Sequence, residues 1–195
     1  MNALPPASLD QLFLQARTPN AFLATPVPVD LLKEVYALAR MGPTGMNTQP
    51  ARYLFLLSAA SRERLRPALS AGNVEKTMKA PVTVVIAWDT RFYEFMPQIW
   101  HGKGAMESFA ADPAMAAATA TKNGTLAGAY FMLAARSLGL DCGPMGGFDA
   151  AKVNAEFFAD GRWQANFLLN LGYADKASIF PRNGRLAFEQ ACTVL

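Results

Sequence analysis

The chain contains one histidine and two cysteines. That set is too small for a metal centre built from those ligands, and Cys142 and Cys192 are too far apart in sequence to make a C-x-x-C pair. Two isolated thiols fit reduced cysteines of a cytosolic protein better than a disulfide framework. G-x-S-x-G, H-E-x-x-H and G-x-x-x-x-G-K-[ST] are all absent, and no G-x-G-x-x-G follows the first strand-like run. These absences remove the fingerprints of serine hydrolases, zinc proteases, P-loop enzymes and classical dinucleotide folds. The net charge is +3 and the basic residues are scattered, so there is no footprint for nucleic acid. The N-terminal MNALPPASLDQLF has no basic region followed by an apolar one, and the longest uncharged apolar-rich segment, GTLAGAYFMLAA, is too short to span a bilayer. The expectation is a soluble, cytoplasmic protein with no nucleic-acid or membrane partner.

What is present is greasy and ordered. With 195 residues, 52% of them hydrophobic, the chain suits a single domain over 1–195. Leu9, Leu12, Phe13 and Ala16 fall at helical spacing, with Ser8 and Gln11 in a capping-box pattern. A second helix is expected over 29–41, with Leu32, Val35, Tyr36 and Ala39 on one face, stopped by Gly42-Pro43. A strand is expected over 53–58, and a helix capped by Ser61 that reaches toward Gly72. VTVVIAW, 82–88, reads as a buried central strand. Residues 89–113 look irregular and aromatic-rich. A long helix over 114–138 stops at Gly139. A glycine-rich turn over 143–149 places Asp149 as cap of a helix over 150–158, and QANFLLNLGY, 164–173, reads as a second central strand. Helices and strands mix without strict βαβ alternation, which favours α+β.

The stretch GPTGMNTQP, 42–50, carries no charge and little apolar bulk. A turn needs about four residues; nine suggest a loop shaped against something flat and polar. With so few side chains suited to acid–base or nucleophilic work, any catalysis is expected to belong to a bound cofactor that the protein positions.

Seven segments in order, ARTPNAF, GPTGMNTQPARY, RLRPALSAGN, APVTVVIAWD, LGLDCGPMGGFD, NLGY and RLAFEQAC, make the chain resemble the nitroreductase-like family of FMN enzymes from end to end. The subgroup it looks most like is the malonic semialdehyde reductases of bacterial pyrimidine utilisation. The resemblance implies an α+β fold with a mostly antiparallel sheet flanked by helices. It also implies an intertwined homodimer that exchanges C-terminal tails and holds FMN at the interface.

It further implies site residues. Arg17 and Thr18 lie in the motif that holds the FMN phosphate, with Asn20 where many members have Arg or Lys; Arg185 and Arg182 add cations from the tail. Guanidinium suits phosphate because it binds bidentately. Pro43, Thr44 and Asn47 reach the flavin from the second subunit. Asn73 reads the pyrimidine edge, whose N–H and C=O a carboxamide complements. Pro144, Met145, Gly146 and Gly147 shape a turn in which the Gly146 N–H points at flavin N5. No catalytic side chain and no metal are implied. On the acceptor side, Arg52 is a candidate cation for an anionic acceptor, and Trp100 and Phe109 are candidates from the aromatic segment 89–113, which is either a lid or a local packing excursion. Two departures mark the subgroup: Ala51-Arg52 follows Gln49-Pro50 where an aromatic is common, and Gly146 replaces the Glu of some members.

The implied activity is ping-pong. NADPH or NADH passes hydride to flavin N5 and leaves, and an electron-poor small molecule takes its place. Malonic semialdehyde, giving 3-hydroxypropionate, is the expected acceptor. The alternatives are a broad nitroaromatic or quinone reductase and a flavin-binding protein without turnover.

Overall fold

The computed structural model describes residues 2–195. A short helix α1 (Pro6–Leu9) runs into a π-turn over Asp10–Leu14, and α2 (Val29–Ala39) follows. Then come β1 (Ala51–Leu56), α3 (Ala59–Leu65), α4 (Ala71–Lys79) and β2 (Val82–Asp89). Two short helices, α5 (Met96–Ile99) and α6 (Ala105–Ala111), lead to the long α7 (Pro113–Ser137). The chain ends with β3 (Asp141–Met145), α8 (Ala150–Phe157), β4 (Trp163–Gly172) and α9 (Phe188–Ala191). The strands form a four-stranded sheet of order β1-β2-β4-β3, antiparallel at each pairing. Among the described residues no helix is long and apolar enough to cross a membrane.

The sheet is covered on both faces, so its central strands read as continuous apolar runs. Side chains alternate along β2. Val82, Val84 and Ile86 join Leu169, Leu171 and Cys142 beneath α2 and α7, and the opposite side chains Val85 and Ala87 join Leu168, Met145 and Val153 beneath α3 and α8. α7 lies close to the sheet because Gly128 faces Phe167 and Ile86; a Cβ there would come within 2.6 Å of Phe167 Cζ. Asp112 caps α7 by accepting from Met115 N, with Pro113 at its first position. Gly139, at φ +82°, takes the chain out of α7 and into β3.

Several expectations are corrected. The first helix begins at Pro6, earlier than expected, has no side-chain cap, and gives way to the π-turn. Leu9, Phe13 and Leu14 remain exposed. Ser58, not Ser61, caps α3, accepting from Ser61 N. The helix does not run on to Gly72, because Pro67 turns it into a 3-10 segment and a new helix starts at Ala71. Gly143–Met145 form an edge strand before the glycine turn begins. The excursion after β2 is built, not irregular: Phe92, Phe109, Ala116 and Ala120 pack as a satellite core. The C-terminal residues from Arg182 onward are exposed, Phe188 and Leu195 included.

Candidate functional site

One group of predicted residues gathers along the β3 edge of the sheet. Phe22 bridges to Ala174, and Ala21 N donates to Ser178 Oγ, so residues 174–182 run beside the N-terminal segment. That places Arg17 and Arg182 together at the end of the π-turn. Arg17 donates from Nη1 to the carbonyls of Leu14 and Ala16, and Arg182 donates from Nη2 to Phe13, Leu14 and Ala16. Arg136, in the last turn of α7, donates to Leu12 O. The Arg182 guanidinium is held below the usual arginine range, first by lost hydration and then by the charges of Arg17, Arg185 and Arg136. None of these four arginines has a carboxylate partner among the described residues. Carbonyls orient the guanidinium groups and leave their positive charge uncompensated, which is the chemistry of an anion seat. Thr18 is exposed beside them. Asn20 is spent on the tail, donating to Ser178 O, and Arg185 folds onto the carbonyls of Asn183 and Gly184.

Further along the same edge, α4 meets the turn after β3. Asn73, in the first turn of α4, donates from Nδ2 to Gly147 O at 2.8 Å, and Ser70 N donates to the same carbonyl at 3.1 Å. Asn73 Oδ1 has no protein partner among the described residues and stays available as an acceptor. The two glycines differ. A Cβ on Gly147 would come within 2.7 Å of Asn73 Nδ2, whereas one on Gly146 would meet nothing within 4 Å. Gly146 therefore faces open space beside an exposed Pro144, while Met145 is buried beneath it. β3, five residues long, leads from the arginine end of this edge to the turn.

The loop 42–50 lies elsewhere. It leads into β1, at the other edge of the sheet, three strand spacings or roughly 14 Å from β3. Met46, Asn47 and Gln49 all have positive φ, near 52°, 52° and 40°, a cost of about 1–3 kcal/mol each that the surroundings must offset. Asn123 Oδ1 accepts from Gly45 N at 2.7 Å, Thr44 Oγ1 accepts from Gln49 N, and Asn47 donates to Ile99 O at 2.7 Å. Pro43 stands exposed at the tip. Thus Thr44 and Asn47 are engaged within the loop and with α5. One chain does not bring Pro43, Thr44 and Asn47 to Asn73 and Gly146.

A cleft of about 480 Å³ opens at the β1 edge, walled by Tyr36, Tyr53, Phe55, Phe95, Ile99 and Trp163. None of the arginine cluster, Asn73 or 144–147 lines it. Arg52 does, but its charge is not free. It donates to Asp89 Oδ2 at 2.7 Å, and Arg162 holds the same buried carboxylate from the other side. The guanidinium is committed to Asp89 and lies over the Phe95 ring, so Arg52 reaches the cleft as half of an ion pair. Phe109 is corrected. It is 5% exposed and packs edge-on to Phe92, so it is core and cannot wall a site. Trp100 stacks on His101 outside the cleft.

A sequence profile described as the Nitroreductase family matches residues 14–173. The chain belongs to the nitroreductase family. A protein of Ralstonia nicotianae called a "Putative NADH dehydrogenase/NAD(P)H nitroreductase" is 53% identical over 195 residues, covering all of both chains. A protein of the same designation from Rhodopseudomonas palustris is 47% identical, covering all of this chain and 99% of its own. The fold matches a solved structure from Exiguobacterium sibiricum, described as a "putative nitroreductase in complex with FMN". The TM-score is 0.82 at 17% identity, over 100% of this chain and 99% of that one.

Within this nitroreductase-family chain, sequence reasoning missed Arg136, Ser70 and the Asp89–Arg162 pair. Arg136 had one legible signal, a cation in the last turn before Gly139. Ser70 and Asp89 gave none, since their roles come from strands and helices distant in sequence.

Proposed function

We propose that the protein is an FMN-dependent NAD(P)H oxidoreductase whose flavin lies along the β3 edge. The observation that carries this is the pairing of an uncompensated arginine cluster with a small-residue turn, Gly146-Gly147, whose first glycine faces open space. Both fit FMN: the arginines suit its phosphate, and a ring can approach Gly146 where a side chain would intrude. Arg17 and Arg182, with Arg185 and Thr18 beside them, would hold the phosphate. Asn73, oriented by its bond to Gly147 O, would present Oδ1 to the pyrimidine N–H. The Gly146 N–H would stand toward N5. When bound, FMN supplies the exchange of an electron pair and proton between nicotinamide and acceptor. The chain itself contributes position and positive charge.

We propose further that the functional unit is a homodimer in which loop 42–50 of one copy completes the β3-edge site of the other. Two half-sites on opposite edges of one sheet support this, as does a tail that exposes Phe180, Leu186, Phe188, Val194 and Leu195 to solvent. Such a tail fits the apolar cleft and free strand edge beside β1. For the acceptor, the motif set supports malonic semialdehyde reduced to 3-hydroxypropionate. The names of the relatives favour a second reading, a nitro-compound reductase. Turnover of malonic semialdehyde, a nitroaromatic and a quinone by the FMN-loaded protein, followed as NADPH or NADH loss, separates them. The aldehyde should be used most efficiently; a nitroaromatic or quinone preferred by orders of magnitude defeats the aldehyde assignment.

A further inference from the structure

A fully buried amide lies beneath the turn and helix just described. Asn170, near the C-terminal end of β4, is 0% exposed and is flanked by Leu169 and Leu171. Its Oδ1 accepts from Thr83 Oγ1 of β2 at 2.8 Å, and its Nδ2 donates to Thr77 Oγ1 of α4 at 3.2 Å. The same Nδ2 lies 3.8 Å from Met145 Sδ, and Thr77 Oγ1 donates to that sulfur at 3.7 Å. Thr77 and Thr83 are both 0% exposed. One carboxamide thus ties together β2, β3, β4 and α4.

The elements it joins are the ones that carry the site. Thr77 is four residues beyond Asn73 on α4, one turn along the same face. Met145 precedes Gly146. The node therefore fixes α4 relative to β3 one turn behind the surface where Asn73 meets Gly147. A hydrogen bond is restrictive in distance and angle, whereas apolar packing is non-directional. Burying polar groups brings little net stability over an apolar replacement of the same shape, so a core node of amide, two hydroxyls and a thioether needs another use.

We infer that Asn170 and Thr77 are positioning residues for the cofactor: their buried node sets the spacing between the Asn73 carboxamide and the 145–147 backbone. This rests on the FMN reading above. Neither residue touches the cofactor; each acts through the element it holds.

The test compares Thr77→Val with Thr77→Ser. Valine keeps the shape and removes the hydroxyl; serine keeps the hydroxyl and removes a methyl. FMN dissociation constants are measured by fluorescence quenching, midpoint potentials of bound FMN by dye equilibration, and apo-protein melting by circular dichroism. Thr77→Val is expected to weaken FMN about tenfold, the size of effect that losing one hydrogen bond's guidance gives, and to move the potential. Thr77→Ser should stay close to the parent in both. Thr83→Val, which frees the same carboxamide from its other side, should shift both in the same direction by less. If packing alone matters the order reverses, with Thr77→Ser worse than Thr77→Val, and the inference is overturned. It is also overturned if parent, Thr77→Val and Thr83→Val share one affinity and one potential. Failure of the parent itself to bind FMN would instead sink the proposed function.

Discussion

Replacing Gly146 by valine separates a site from a scaffold. The backbone there does not have positive φ, and a Cβ would meet nothing within 4 Å. A β-branched residue therefore fits the free chain. Loss of glycine removes unfolded-state freedom, so apo-protein stability should be unchanged or raised by up to about 1 kcal/mol. For a chain of this length that is roughly 2–4 °C in melting temperature. The open space is where the account puts the flavin ring. Side-chain atoms forced into a filled volume cost about 1–3 kcal/mol, which is roughly 5- to 150-fold in FMN affinity. Fluorescence titration of apo-protein with FMN, beside thermal melting followed by circular dichroism, reads both numbers. Unchanged FMN affinity would refute the placement of the ring at this turn. A Gly146→Val chain that fails to fold would refute the geometry.

Arg17→Ala removes a charge-assisted partner of phosphate and should cost about 1.5–3 kcal/mol of FMN binding, seen as flavin lost on gel filtration. Asp89→Asn leaves the half-buried Arg52 without a carboxylate and Arg162 with Glu94 alone. A loss of about 3–5 kcal/mol is expected in thermal melting, with the parent's stability as reference. Burial pushes the Cys142 thiol up to about 12, from an ordinary value of 9.0. At pH 8 a disulfide reagent should therefore leave Cys142 unmodified in the native protein and modify it after denaturation. The unfolded thiol ionises at lower pH than the folded one, so Cys142 also takes stability away as pH rises through that window. Ending the chain after residue 179 should convert a dimer to a monomer in sedimentation; an unchanged sedimentation coefficient would count against tail exchange.

Regular apolar patterns were readable because burial on two faces leaves its mark residue by residue. β2 and the FLL stretch of β4 are mostly apolar, and the boundaries of α7 follow from Asp112-Pro113 and Gly139. The split of α3 from α4 was harder, since it depends on Pro67 and on where Ser70 finds a partner. Asn73, Gly146 and the arginines were placed by motif resemblance; Arg17 and Arg182 meet because residues 173–178 pair with residues 20–23 and Arg182 donates to the carbonyls of Phe13, Leu14 and Ala16. The ion pair of Arg52 and the burial of Phe109 were not legible because nothing in their own neighbourhood shows Asp89, Arg162 or Phe92, which fold onto them from 37, 110 or 17 positions away. Asn170 looked like one more residue of an apolar strand until Thr77, Thr83 and Met145 closed around it.

The central claim is a flavin that exchanges electron pairs on this chain, and a visible spectrum tests it most directly. Protein mixed with FMN and freed of excess should be yellow, and anaerobic NADPH or NADH should bleach it within seconds. Protein that stays colourless after FMN, or a bound flavin that remains oxidised under reduced nicotinamide, would contradict the account.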